Sequence, residues 1–224
     1  MIVGPRVGGT LLAHCLSTHP QVFFARDEPL VPGSSWSRLG CGPAALLGLL
    51  LAMPWYQASG CRVLYSQMHT PEVRDYLLSV RPRVVWLRRR DVLGQAFSLM
   101  MYAQGQTHSV EIPVSQSVWV SPKDFVNQVR NLVERNARGA ERVAEFEVVL
   151  PLWYEDICPD DRGWLPEPAA AKVCGFLGVK EEPMRTDLKR IHRPLPEAVA
   201  NWPEVLAAVR DSEFAVLEES VCQH

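Results

Sequence analysis

Short β-branched or aromatic runs alternate along the chain with longer stretches of helical periodicity. The short runs predict strands over 2–3, 22–24, 62–67, 83–87 and 147–154. The longer ones predict helices over 9–17, 42–53, 71–80, 92–104, 122–145, 168–177, 196–210 and 212–221. Several helices open at a capping residue followed by proline, as in Thr70-Pro71 and Ser121-Pro122, where proline's missing N–H is no loss. Val84-Val85-Trp86-Leu87 is apolar on both faces, as a parallel strand covered by helices on both sides must be. The pattern predicts an α/β fold of three α/β/α layers with a central, mainly parallel sheet, one domain over 1–224.

At 224 residues, 47% apolar and 21% charged, the composition is globular and excludes disordered, collagenous and coiled-coil chains. A chain of this length buries about 70% of its unfolded surface and needs no disulfide or metal to fold. Twenty-three basic against 25 acidic residues leave a net charge of −2, so no nucleic-acid partner is expected and any anion site must be local. Six cysteines without a C-x-x-C pair lack metal-ligand spacing, and no metal site is expected. Isolated cysteines also suit a reduced compartment. The most apolar run, 44–53, covers half of the ~20 residues a membrane span requires. Met1 to Arg6 is not a charged segment leading into an apolar one, so the expected location is cytoplasmic.

Ile2-Val3-Gly4-Pro5-Arg6-Val7-Gly8-Gly9-Thr10-Leu11-Leu12 has the form of a strand, a glycine-rich turn and a helix start. Such a turn closes round an oxyanion with main-chain N–H groups, from Arg6, Val7, Gly8, Gly9, Thr10 and Leu11 here. Gly4 and Gly9 have the spacing of a nucleotide P-loop, but Thr10 follows directly and the P-loop lysine is missing. Arg6 is the cation within the loop. A tight turn with no ligand is the plain alternative.

The complement lies at Leu87-Arg88-Arg89-Arg90-Asp91-Val92-Leu93-Gly94-Gln95, with Ser98 two helical turns on. A strand ending in three arginines repels a divalent cation and attracts a phosphate. The competing reading is a solvated basic strand end. Two anion sites without a P-loop lysine describe a nucleoside phosphorylated at both ends. The donor 3′-phosphoadenosine 5′-phosphosulfate (PAPS) has that shape.

Pro5-Arg6-Val7-Gly8-Gly9-Thr10-Leu11-Leu12, His19-Pro20 and Glu28-Pro29 resemble the opening of PAPS-dependent sulfotransferases. The similarity is greater to the bacterial branch with nodulation-factor, lipopolysaccharide and trehalose-type enzymes. Gly60-Cys61-Arg62-Val63-Leu64-Tyr65-Ser66-Gln67, the arginine cluster through Ser98, Trp153-Tyr154-Glu155-Asp156 and Phe176-Leu177-Gly178-Val179 resemble its later motifs in the same order. So do His192-Arg193-Pro194-Leu195, Asn201 and Glu204-Val205. Val7 stands in place of a serine, Gly9 in place of a threonine and Arg62 in place of a lysine.

The resemblance implies a P-loop-like sulfotransferase fold and transfer of a sulfuryl group from PAPS to a hydroxyl of a carbohydrate or other small-molecule acceptor, with no metal. It implies Glu28 as the general base and Arg6 at the 5′-phosphate, with Arg89 or Arg90, Ser98 and Arg193 at the 3′-phosphate. His69 is the alternative base, and a strand-end structural histidine is its plain reading. The competing classes are a P-loop kinase-like enzyme and a degenerate module that binds adenosine 3′,5′-bisphosphate (PAP) or another anion without catalysis. Glu155 and Asp156 are read as structural caps, and 29–42 and 105–121 as substrate loops or plain connections.

Overall fold

The computed structural model describes residues 1–103, 117–158, 163–188 and 194–220. Their order begins β1 (Ile2–Val3), α1 (Gly9–Ser17), β2 (Val22–Phe24), α2 (Pro43–Leu51), β3 (Ala58–Gly60), β4 (Val63–Leu64) and α3 (Pro71–Val80). It continues with β5 (Val84–Arg88), α4 (Val92–Ala103), α5 (Pro122–Val143), β6 (Val149–Trp153), α6 (Glu167–Leu177), α7 (Leu195–Ala198) and α8 (Trp202–Arg210). Contacts group the chain into two compact units, 1–88 with 138–189 and 89–137 with 190–224.

The first unit holds a four-stranded parallel sheet in the order β4-β1-β5-β6. Strand alternation sends Val3, Val85, Leu87, Leu150 and Leu152 into one cluster with Leu12 and Leu16 of α1 and Val173 of α6. Their neighbours Ile2, Val63 and Val84 join Leu46, Leu47 and Leu50 of α2 and Val73 and Leu77 of α3 in another cluster. Helices therefore cover both faces, and this unit has the expected three layers. The chain leaves β1 for β4 on one side and returns past it to β5 on the other. The turn after β1 thus stands where the strand order reverses, the ligand crevice of open parallel sheets.

Helices 9–17 and 71–80 and strand 22–24 have the expected bounds. The strand expected over 62–67 stops at Leu64, because the Gln67 side-chain oxygen accepts the Leu64 N–H at 2.8 Å and closes a 3-10 turn over Tyr65–His69. β3 has no strand-forming composition (Ala-Ser-Gly) and is held by parallel pairing with β2.

The second unit packs α4, the first part of α5, α7 and α8 round Phe97, Phe125, Leu132 and Val205. The helix expected over 196–210 is two. Val199 bridges to Val118, and Asn201 both accepts from the Val120 N–H (3.0 Å) and donates to the Val120 carbonyl (2.9 Å). Pro203 then opens α8, where a missing N–H does not matter. In place of a helix over 212–221 there is a 3-10 turn, Ala215–Ser220, with Val221 outside the described residues. No described helix is long and apolar enough to cross a membrane.

Candidate active site

The turn from Gly4 to Gly8 bends through two left-handed residues, Arg6 at φ 58° and Gly8 at φ 83°. A non-glycine residue seldom adopts that conformation, which costs roughly 1–2 kcal/mol, and left-handed positions in a turn point successive N–H groups into an anion-binding concavity. The first hydrogen bond of α1 runs from the Leu12 N–H to the Gly8 carbonyl at 3.0 Å, so the amides of Gly9, Thr10 and Leu11 precede the helical ladder. Gly8 is under a ring as well as left-handed. A Cβ there would lie 2.5 Å from Cδ2 of Tyr154.

Val7 is 2% exposed and Leu11 8%, and both side chains belong to the core cluster of α1 and α6. Each would serve an anion through its main-chain N–H alone. The serine-to-valine departure thus places an apolar side chain in an apolar place.

Gly9 has no positive φ and is glycine for space. A Cβ there would stand 3.0 Å from Cδ of Arg62 and 3.3 Å from its Nη1. Arg62, immediately before β4, is 6% exposed. Its Nη1 donates to Thr10 Oγ1 at 2.6 Å, and its Nη2 stands 3.1 Å from Glu28 Oε1. Burial lowers the guanidinium's pKa from its ordinary value, and the Glu28 and Asp27 carboxylates push it back up. Arg62 Nε is buried without a hydrogen-bond partner. One planar fork therefore joins the loop hydroxyl to the expected base. The sequence reading did not place Arg62 in the site; its signal was an arginine opening an otherwise apolar strand.

Glu28 follows β2 in a segment folded upon itself. The Val31 N–H donates to the Glu28 carbonyl (3.2 Å), Ser34 Oγ to the Pro29 carbonyl (3.0 Å) and Ser35 Oγ to Asp27 Oδ2 (2.9 Å). The Glu28 side chain is 29% exposed, so solvent reaches a carboxylate whose one oxygen faces Arg62.

The ends of β5 and β6 supply an aromatic wall. Arg88 lies between the indoles of Trp86 (4.1 Å) and Trp153 (3.9 Å), and Trp86 Nε1 donates to Tyr65 Oη at 2.7 Å. Guanidinium stacking on two rings fixes Arg88 at the carboxyl edge of the sheet. Trp153 thus stacks on Arg88, while Tyr154, which lies over Gly8, opens the 3-10 turn that holds Glu155 and Asp156.

In the second unit the remaining arginines differ. Arg89 is buried and its Nη2 stands 2.8 Å from Asp91 Oδ2; Arg90 is exposed. Asp91 Oδ1 accepts the Gly94 N–H at 2.7 Å and so caps α4. A Cβ at Gly94 would run into Asp91 and Arg89, so glycine there admits the ion pair. Ser98 is 2% exposed in α4.

His69 is exposed at the end of the Tyr65–His69 turn, not at a strand end. Arg193 lies outside the described residues. His19 is buried, its Nδ1 accepting the Gln21 N–H at 3.1 Å and its Nε2 2.9 Å from the Lys180 carbonyl, which makes it a structural brace. Asn201 braces Val120 in the same way. The chain matches no protein-family model and no curated protein.

Proposed function

We propose that this chain is a PAPS-dependent sulfotransferase with a P-loop-like sulfotransferase fold, acting on a hydroxyl of a carbohydrate or other small-molecule acceptor. The observation that carries the reading is the Thr10–Arg62–Glu28 linkage: a glycine-rich turn after the first strand, tied through one guanidinium to a solvent-reached carboxylate. The residues suit a phosphosulfate. The main-chain amides from Gly9 to Leu11 precede the helical ladder, and Arg6 supplies the loop's cation where a nucleotide P-loop supplies a lysine.

In the reaction the acceptor oxygen forms a bond to sulfur while the bond between sulfur and the bridging oxygen of the 5′-phosphate breaks. The acceptor's proton passes to the Glu28 carboxylate and then to solvent; the products are a sulfate ester and PAP. The loop amides and Arg6 balance the charge left on the departing phosphate, a stabilisation placed before the reaction begins. Arg90 and Ser98 are the partners proposed for the 3′-phosphate, while Arg89 is paired with Asp91.

Asp91, the first carboxylate after β5, is taken up by Arg89 and by the Gly94 amide, which disfavours the metal-holding role a kinase-like site would give it. The test is transfer of radiolabelled sulfate from PAPS to a panel of sugar and phenolic alcohols in EDTA. Labelled ester formed without a divalent ion supports the reading; transfer from ATP–Mg²⁺ in its place refutes it.

A further inference from the structure

Gly9 and Arg62 occupy one volume. Arg62 immediately precedes β4, two residues before Leu64, and its stem lies against Gly9, the first residue of α1. Both ends of its fork are engaged, Nη1 at Thr10 and Nη2 at Glu28, and the side chain is 7% exposed. A flexible arginine would swing away from an added methyl group. This one is held at both ends, so the few tenths of an ångström it must give are taken against Thr10 and Glu28. Gly9 adopts ordinary backbone angles, so conformation does not call for glycine here; the arginine does.

We propose that Arg62 is the positioning residue of this site, setting the Thr10 hydroxyl and the Glu28 carboxylate relative to each other, and that Gly9 is glycine in order to admit it. The inference rests on the sulfotransferase reading for what is positioned, while the packing of the pair stands without it. The two departures from the resembled family, glycine for threonine at 9 and arginine for lysine at 62, then form one coupled exchange. A lysine lacks the fork and reaches one partner at a time, leaving room above its thinner end.

The test is a double-mutant cycle read by thermal unfolding without ligand, joined to steady-state kinetics. Gly9→Ala alone should lower Tm. In an Arg62→Ala background the same change should raise it, since alanine favours the helix once the stem is gone. Should Arg62→Ala not fold, Glu28→Gln replaces it as background: freeing one end of the fork should shrink the Gly9→Ala loss by more than half. Arg62→Lys should lower kcat at least tenfold with KM for PAPS within threefold, and Gly9→Thr should be tolerated better beside Arg62→Lys than beside arginine.

A Gly9→Ala loss of equal size in every background would overturn the proposal, as would an Arg62→Lys variant with wild-type kcat. Binding of PAP to the wild type, measured in the same series, reports on the sulfotransferase reading separately. Its absence removes that reading while the cycle still decides the pairing of Gly9 with Arg62.

Discussion

The ring of Tyr154 lies directly against Gly8, so close that a Cβ at position 8 would be 2.5 Å from Tyr154 Cδ2. Gly8 is also left-handed, at φ 83°. Backbone and packing thus require glycine for independent reasons, and a tyrosine distant in sequence closes over the glycine-rich turn.

Gly8→Ala should therefore destabilise the fold by ~1–2 kcal/mol from the backbone alone, with the ring contact adding to it. Tyr154→Leu beside Gly8→Ala should recover the packing part and leave the backbone part. Chemical denaturation of the three variants measures this; a Gly8→Ala variant as stable as wild type contradicts the geometry.

Arg89 and Arg90 should separate by phenotype. Arg89→Ala removes the ion-pair partner of Asp91 from a buried place and should lower stability by on the order of 3 kcal/mol. Arg90→Ala should weaken PAP by ~1.5–3 kcal/mol, with little effect on adenosine 5′-monophosphate, which lacks the 3′-group. Equal losses for both nucleotides would remove Arg90 from the 3′-phosphate.

Stability should fall on mild acidification through His14. Burial, then the charges of Arg26 and Arg62, lowers its pKa below the ordinary 6.5. The unfolded chain thus takes up the proton before the folded one. The contribution is complete above pH 6.5 and is lost as the pH falls toward the folded-state value. Unfolding of wild type and His14→Gln between about pH 7 and about pH 5 tests it: the variant should show a shallower decline.

Much of the fold was legible because its signals are local. Apolar periodicity and cap–proline pairs gave α1 and α3 their bounds, and the two-faced apolar run of β5 implied covering helices. β3 was not legible, since Ala58-Ser59-Gly60 becomes a strand only through its partner β2. In the site, the glycine turn and Glu28 stood out as motifs. Arg62 did not, because its partners Thr10 and Glu28 are far from it along the chain. Val7, in place of a serine, is a core residue whose burial no local sequence signal marks.

The two candidate bases should differ sharply. Glu28→Gln should keep PAP affinity within a few-fold and cut transfer by ~10²–10⁴-fold, the span of a general base. The exposed His69, as alanine, should leave transfer within a few-fold of wild type. The reverse pattern would give the base role to His69.

The central claim, a site built for an adenosine carrying phosphates at both ends, is tested most directly by titration calorimetry of the wild-type chain with PAP and, in parallel, with ATP–Mg²⁺. The account predicts saturable binding of PAP in EDTA, at least tenfold tighter than ATP–Mg²⁺. Tighter binding of ATP–Mg²⁺, or no heat with PAP, would contradict it.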